Sequence, residues 1–204
     1  MLLQINQENP QERLISRAVE ALERDGLIAY PTDTTYGLGC NIFNRRGVKN
    51  IYKIKQRDAR KPFSFICADL SDVANYAQVS NFAFKIMKRH LPGPYTFVLD
   101  ATRIVPASMI TRQKTVGIRI PDDEIALSIV RQLGHPLVTT SANLTGESPL
   151  HDPAEIEAIM GHMLDMVVDG GIRFGDPSTV ISLIDDRIEV LREGCGDISW
   201  IDQL

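Results

Sequence analysis

Apolar residues follow two rhythms along this chain. Short, almost uninterrupted apolar runs rich in β-branched residues cover 27–30, 63–67, 95–99, 115–120, 137–140, 166–168, 179–184 and 188–191. Most are bounded by Gly, Pro or Asp, a combination that predicts strands. The lack of polar alternation predicts burial on both faces. Between these runs the apolar positions recur at helical spacing. Leu14, Ala18, Ala21 and Leu22 form one stripe, closed by Asp25-Gly26. Val48, Ile51, Tyr52 and Ile54 form a second, and 82–91 a third, stopped by Pro92-Gly93-Pro94. Ile125, Ile129, Val130 and Leu133 form a fourth, ended by Gly134. Asp152 reads as an N-cap, with Pro153 at the first helical position and Glu155 behind it, opening a fifth helix. Helices alternating with strands predict one α/β domain on a twisted, mostly mixed open sheet flanked by helices.

Composition narrows the class. The 204 residues are 44% hydrophobic and 24% charged, ordinary values for a soluble globular chain able to bury a core without staples. The formal net charge of -4 excludes a surface that coats nucleic acid as a whole, yet leaves room for a local basic pocket. No run approaches the roughly 18 apolar residues of a membrane span, and the polar start of the chain lacks the pattern of a signal peptide. Cys40, Cys67 and Cys195 lie far apart without zinc spacing, which predicts reduced thiols and a cytoplasmic setting.

The familiar nucleotide and nucleophile motifs are missing: no Walker-type phosphate loop, no nucleophile elbow, no third glycine after Gly37 and Gly39, no paired histidines. Phosphoryl and nucleotidyl transfer remain open, because they depend on positioning and charge more than on a covalent group. The segment 45–61 carries Arg45, Arg46, Lys49, Lys53, Lys55, Arg57, Arg60 and Lys61 against one acid, Asp58. It reads either as a solvated helix face or as the wall of an anion site. Residues two apart do not share a helix face. Lys55 and Arg57 can therefore enter one pocket only where the helix ends near Gln56. Hydroxyl-rich turns stand beside the strand runs at Pro31-Thr32-Asp33-Thr34-Thr35, Thr139-Thr140-Ser141-Ala142-Asn143 and Pro177-Ser178-Thr179. Each alone could simply cap a turn. Together with Arg119 and Arg192 they could pool beyond the strand ends, where open α/β sheets bind ligands.

These motifs, taken in order, resemble the YrdC/YciO family of threonylcarbamoyl-AMP synthases. Residues 30–39, YPTDTTYGLG, are similar to its opening motif, Lys55-Gln56-Arg57 to its K-x-R element and 91–98 to its P-G-P-x-T-F-V element. The run 115–121 resembles its strand ending in R-x-P, and Ser141-Ala142-Asn143 its S-x-N element. The stretches 176–180 and 190–194 resemble its closing motifs. The run 61–67 ends in Cys67, where longer synthases carry a histidine, and 192–197 looks more like the YciO branch.

The resemblance implies a YrdC-like domain over 7–197 with a concave basic groove, and no second domain. It implies conversion of L-threonine, bicarbonate and ATP to L-threonylcarbamoyladenylate and pyrophosphate, for threonylcarbamoyladenosine modification of tRNA with partner proteins. Lys55, Arg57, Thr115, Ser141, Asn143 and Arg192 would then hold ATP, with Lys55 and Arg57 acting in catalysis. Thr32, Arg119, Thr139 and Ser178 would hold threonine. Magnesium would arrive on the phosphates of ATP, with few or no protein ligands. Two other readings stay open at this level. One is an RNA-binding paralogue using the basic surface on tRNA or double-stranded RNA. The other is a carbamoyl-adenylate enzyme acting on another amine.

Overall fold

Helix α1 (Glu12–Glu23) buries Ile15, Ala18, Val19 and Leu22 along one stripe. Helix α5 (Glu124–Leu133) buries Ile125, Ala126, Ile129 and Val130. Asp123 caps α5 by accepting from the Ala126 amide at 2.9 Å, and Gly134 ends it with φ 76°, a conformation that suits a residue without Cβ. The two helices pack together, and both face one sheet. These features belong to a computed structural model, which describes residues 1–56, 63–109, 114–144 and 146–203.

The strands are β1 (Leu2–Gln4), β2 (Ile28–Tyr30), β3 (Gly37–Gly39), β4 (Ser64–Ile66) and β5 (Tyr95–Asp100). They continue with β6 (Thr115–Arg119), β7 (Leu137–Ser141), β8 (Met166–Asp169), β9 (Thr179–Ser182) and β10 (Glu189–Arg192). They form one sheet of ten strands in the order β1-β8-β2-β3-β7-β4-β6-β5-β9-β10. The sheet is mixed, as expected. β1, β8 and β2 run parallel, as do β4 with β6 and β5 with β9, while the remaining neighbours are antiparallel.

Because side chains alternate across a strand, the sheet divides its residues between two cores. Ile28, Tyr30, Ile66, Leu137, Met166 and Val168 face α1 and α5. Ala29, Leu38, Phe65, Phe97, Ile118, Val138 and Ile181 face the other way. That second face is covered by α2 (Arg45–Ile54), α3 (Leu70–Tyr76), α4 (Asn81–His90) and α6 (Pro153–Met160). Phe65 and Phe97 are fully buried there, each stabilising the fold by about 1.5–3 kcal/mol relative to exposure. Among the described residues no helix is long and apolar enough to cross a membrane.

The expected helices and strand runs are present, with differences at the margins. Strands β1 and β3 and helix α3 were not anticipated: β3 is Gly-Leu-Gly, and α3 has only 7 residues. The expectation of two-sided burial fails for β10, which is exposed at every position. It is the outermost strand, paired with β9 alone among the described residues, so neither face has a layer to bury it.

Candidate functional site

The face covered by α1 and α5 is apolar only at one end. Ser64 pairs with both Gly117 and Thr139, and Val98 pairs with Gly117 and Ser182. In-register residues share a face, so Thr139, Ser64, Gly117 and Ser182 form one polar row. The period of 2 along β6 and β7 adds Thr115, Arg119 and Ser141 to that same face. The helix stripes described above pack on the apolar end, since an apolar stripe gains nothing by desolvating hydroxyls. Gly117 lies directly beneath Ser64, where a Cβ would come 2.5 Å from the Ser64 Oγ.

One end of the polar face is organised by Lys55. Helix α2 ends at Ile54, Lys55 is its C-cap, and Gln56 turns away with φ 40°, so the helix ends where the K-x-R reading required. The Lys55 side chain is buried, and its ammonium donates to the Ser141 and Asn143 carbonyls, each at 2.9 Å, and to Asn143 Oδ1. The Ser141 hydroxyl donates to the same Oδ1 at 2.6 Å. Asn143 Nδ2 donates to the carbonyls of Leu144 at 2.9 Å and Glu147 at 2.6 Å. A buried ammonium is tolerated only when its donors are met; here the K-x-R and S-x-N elements meet them together. Thr115 stands half-buried at the same end of β6, one strand away from Ser141 across β4. Arg57, the other cation of the element, lies outside the described residues. Arg60 and Lys61 also lie outside the described residues; in the described part of the basic run, Arg45, Arg46, Lys49 and Lys53 are exposed, as a solvated helix face would be.

The other end gathers the remaining hydroxyls around Arg119. The turn after β2 folds on itself: the Thr32 hydroxyl donates to the Thr35 carbonyl at 2.6 Å and accepts from the Thr34 amide at 3.2 Å. Buried Arg119 donates through Nη2 to the Asp33 carboxylate and to Thr34 Oγ1 at 2.7 Å. Thr139 accepts from the Tyr30 hydroxyl at 2.7 Å. Ser178 Oγ lies 2.8 Å from Thr96 Oγ1. Arg192, expected with ATP, stands with Ser178, donating through Nη2 to its carbonyl at 2.7 Å.

Sequence reasoning passed over three residues here. Asp33 lies inside the opening motif, but its ion-pair partner is far away in the chain. Asp123 carried a readable signal as an N-cap before an apolar stripe. Arg173 lies in an unpatterned loop and gave none. Arg173 donates to Asp123 Oδ2 and Gly170 O, each at 2.8 Å, and to Thr32 O at 2.9 Å, tying that loop to the turn after β2. Burial raises the Asp123 carboxyl above its usual value even against Arg173. Burial also pushes the Tyr36 phenol up to about 12, so it remains a neutral donor to the Gly171 carbonyl at 2.8 Å.

Cys67 follows Ile66, which shares the face of Arg119, so it points the opposite way and packs in the core behind the sheet. Burial, followed by the nearby Asp72 carboxylate, holds its thiol well above the usual range. The departure at Cys67 therefore sits behind the polar face rather than on it.

Residues 20–194 match the family Sua5_yciO_yrdC, described as telomere recombination. The chain belongs to the Sua5/YciO/YrdC family. Within that family it is 41% identical over 196 residues to the uncharacterized protein YciO of Escherichia coli K12, covering 95% of each chain. It is 34% identical over 178 residues to the threonylcarbamoyl-AMP synthase of Idiomarina loihiensis, covering 84% of this chain and 94% of that one. Its fold superposes on the crystal structure of P. abyssi Sua5 complexed with L-threonine with a TM-score of 0.93 at 29% identity, covering 100% of this chain and 60% of that one. Members of the Sua5/YciO/YrdC family thus include threonylcarbamoyl-AMP synthases, a nucleotidyltransferase activity.

Proposed function

We propose that this protein forms L-threonylcarbamoyladenylate from L-threonine, bicarbonate and ATP, releasing pyrophosphate, as a step in tRNA modification. The observation that carries the proposal is the convergence of Lys55, Ser141 and Asn143 on one node at the end of a polar sheet face. ATP is assigned to that end, with Lys55, Arg57, Thr115, Ser141 and Asn143 as its contacts; Arg192, which stands beside Ser178 toward the other end, is assigned to ATP as a further contact. Threonine is assigned to the Arg119 end, with Thr32, Thr139 and Ser178.

In this scheme the threonine amine bonds to the carbon of bicarbonate and a C–O bond breaks, giving a carbamate and water. A carbamate oxygen forms a bond to the α-phosphorus of ATP, and the bond from that phosphorus to the bridging oxygen breaks in line, releasing pyrophosphate. Negative charge builds on the α-phosphoryl oxygens and on the leaving group. A cation fixed before the reaction stabilises that charge without reorganising, an effect of about 3–4 kcal/mol per preorganised donor in comparable sites. Lys55 meets the requirement, because three oxygens hold its ammonium in place. Among the described residues no group of three His, Cys, Asp or Glu could hold a metal. Magnesium is assigned to the phosphates of ATP, where it would neutralise charge, and no protein residue is given the task of holding it.

The test is pyrophosphate release by the purified protein with ATP, L-threonine and bicarbonate, leaving out each in turn. Release that depends on all three supports the proposal. Release with another amino acid in place of threonine at equal rate moves the assignment to a different amine, and release without any amino acid, or no release at saturating ATP, removes it.

A further inference from the structure

The two buried ion pairs near the turn after β2 differ in one respect. Arg173 uses Nε on Thr32 O, Nη1 on Gly170 O and Nη2 on Asp123, whose other carboxylate oxygen caps α5. That pair is satisfied within the fold, as a structural strut should be. Asp33 and Arg119 are comparably buried, with side chains 10% and 8% exposed. Yet Asp33 Oδ2 and Arg119 Nε are buried without any hydrogen-bond partner. Buried polar atoms without partners are rare, and those found at a polar cluster call for an explanation. Here one orphan is an anionic acceptor and the other a cationic donor, on two side chains joined through Arg119 Nη2 and Asp33 Oδ1. The hydroxyls of Thr32 and Thr34 lie 3.1 Å apart beside them.

An acceptor and a donor of opposite charge, on paired side chains and both short of a partner, complement a zwitterion. We infer that Asp33 and Arg119 form a clamp for an α-amino acid, in which Arg119 binds the carboxylate and Asp33 binds the ammonium through Oδ2. Both orphan atoms are covered, so the clamp opens by rotation of the two side chains. One buried ion pair is then exchanged for two, and the net charge of the site stays zero. Removing charge from water is tolerable only with such matching. Asp33 is thereby a specificity-determining residue: it selects amines over hydroxy acids before the amine is carboxylated. That the amino acid is threonine rests on the function proposed above; the clamp itself requires only an α-amino acid.

Calorimetric titration of the full chain with L-threonine, 3-hydroxybutanoate and threonine methyl ester tests the clamp. The second ligand lacks the amine and the third the carboxylate. The wild type is expected to prefer threonine to either by at least about tenfold, the value of one charge-assisted contact. Asp33→Asn is expected to lose the preference over 3-hydroxybutanoate, with a melting curve as the folding control. Equal binding of threonine and 3-hydroxybutanoate by the wild type overturns the clamp, whether or not the variant folds. Pyrophosphate assays separate this inference from the functional reading. Zwitterion-selective binding without pyrophosphate release sinks that reading and leaves the clamp standing. Threonine-dependent release with an unchanged KM for threonine in Asp33→Asn sinks the clamp and leaves the reading.

Discussion

Lys55 and Ser141 are 86 positions apart in the chain, yet the Lys55 ammonium donates to the Ser141 carbonyl at 2.9 Å. The contact joins the end of α2 to the end of β7, and so brings a helix packed on one face of the sheet to residues displayed on the other. Substitution of Lys55 by Met tests what the contact is for. It should lower kcat/KM for pyrophosphate release by about a hundredfold or more, the scale of losing a preorganised charge. Stability should fall by only about 1–3 kcal/mol for the oxygens left unmet, as read by denaturant unfolding. Lys55→Arg should not restore activity, because a planar guanidinium does not fit a buried ammonium cage.

Gly117 is a second point at which the site constrains the sequence. A methyl group there would come 2.5 Å from Ser64 Oγ and 3.3 Å from the Thr96 methyl. Gly117→Ala should destabilise by about 1–3 kcal/mol through overpacking. Adding Ser64→Ala removes the closest contact and should recover part of the loss, a coupling that a double-mutant cycle measures.

The Asp123–Arg173 pair predicts a pH dependence with a definite sign. Burial raises the Asp123 carboxyl above its usual value in the folded chain. The folded state therefore takes up this proton before the unfolded state does, and the contribution of the group to stability grows as pH falls toward the ordinary carboxylate range. Asn remains a good N-cap, so Asp123→Asn isolates the charge. The difference in unfolding free energy, wild type minus variant, should rise as pH is lowered through that window. A difference that shrinks would contradict the assignment.

Thiol labelling checks the core opposite α1 and α5, which holds both buried cysteines. Cys40 and Cys67 are buried, with the Cys40 thiol pushed up to about 12 by burial and then by Asp25. Cys195 is exposed, and partial burial raises its thiol as well. Native protein should take one alkyl group, at Cys195, more slowly at neutral pH than a free cysteine does. Unfolded protein should take 3, as intact mass would read.

The sequence made parts of this arrangement readable and hid others, for physical reasons. Lys55 could be picked from a crowded basic run by its resemblance to the K-x-R element, and helical geometry added the condition that Lys55 and Arg57 share a pocket only where the helix ends near Gln56. The apolar stripes of α1 and α5 were visible because one face of each helix is buried. Strand β3 was hidden because Gly-Leu-Gly carries no strand propensity; its place between β2 and β7 comes from pairing alone. The exposure of β10 was hidden because an apolar run does not reveal that its strand is outermost. The partnership of Asp33 with Arg119 was hidden for a third reason: it depends on which strands adjoin, and no local spacing encodes that.

The central claim is that one polar sheet face brings a nucleotide triphosphate and an amino acid together for adenylate transfer. Mass spectrometry of the products after incubation with ATP, L-threonine and ¹³C-bicarbonate tests it most directly. The account predicts an adenylate in which the labelled carbon links threonine nitrogen to the phosphate of AMP, formed in step with pyrophosphate. ATP consumed to ADP and phosphate, or an adenylate without the labelled carbon, would contradict it.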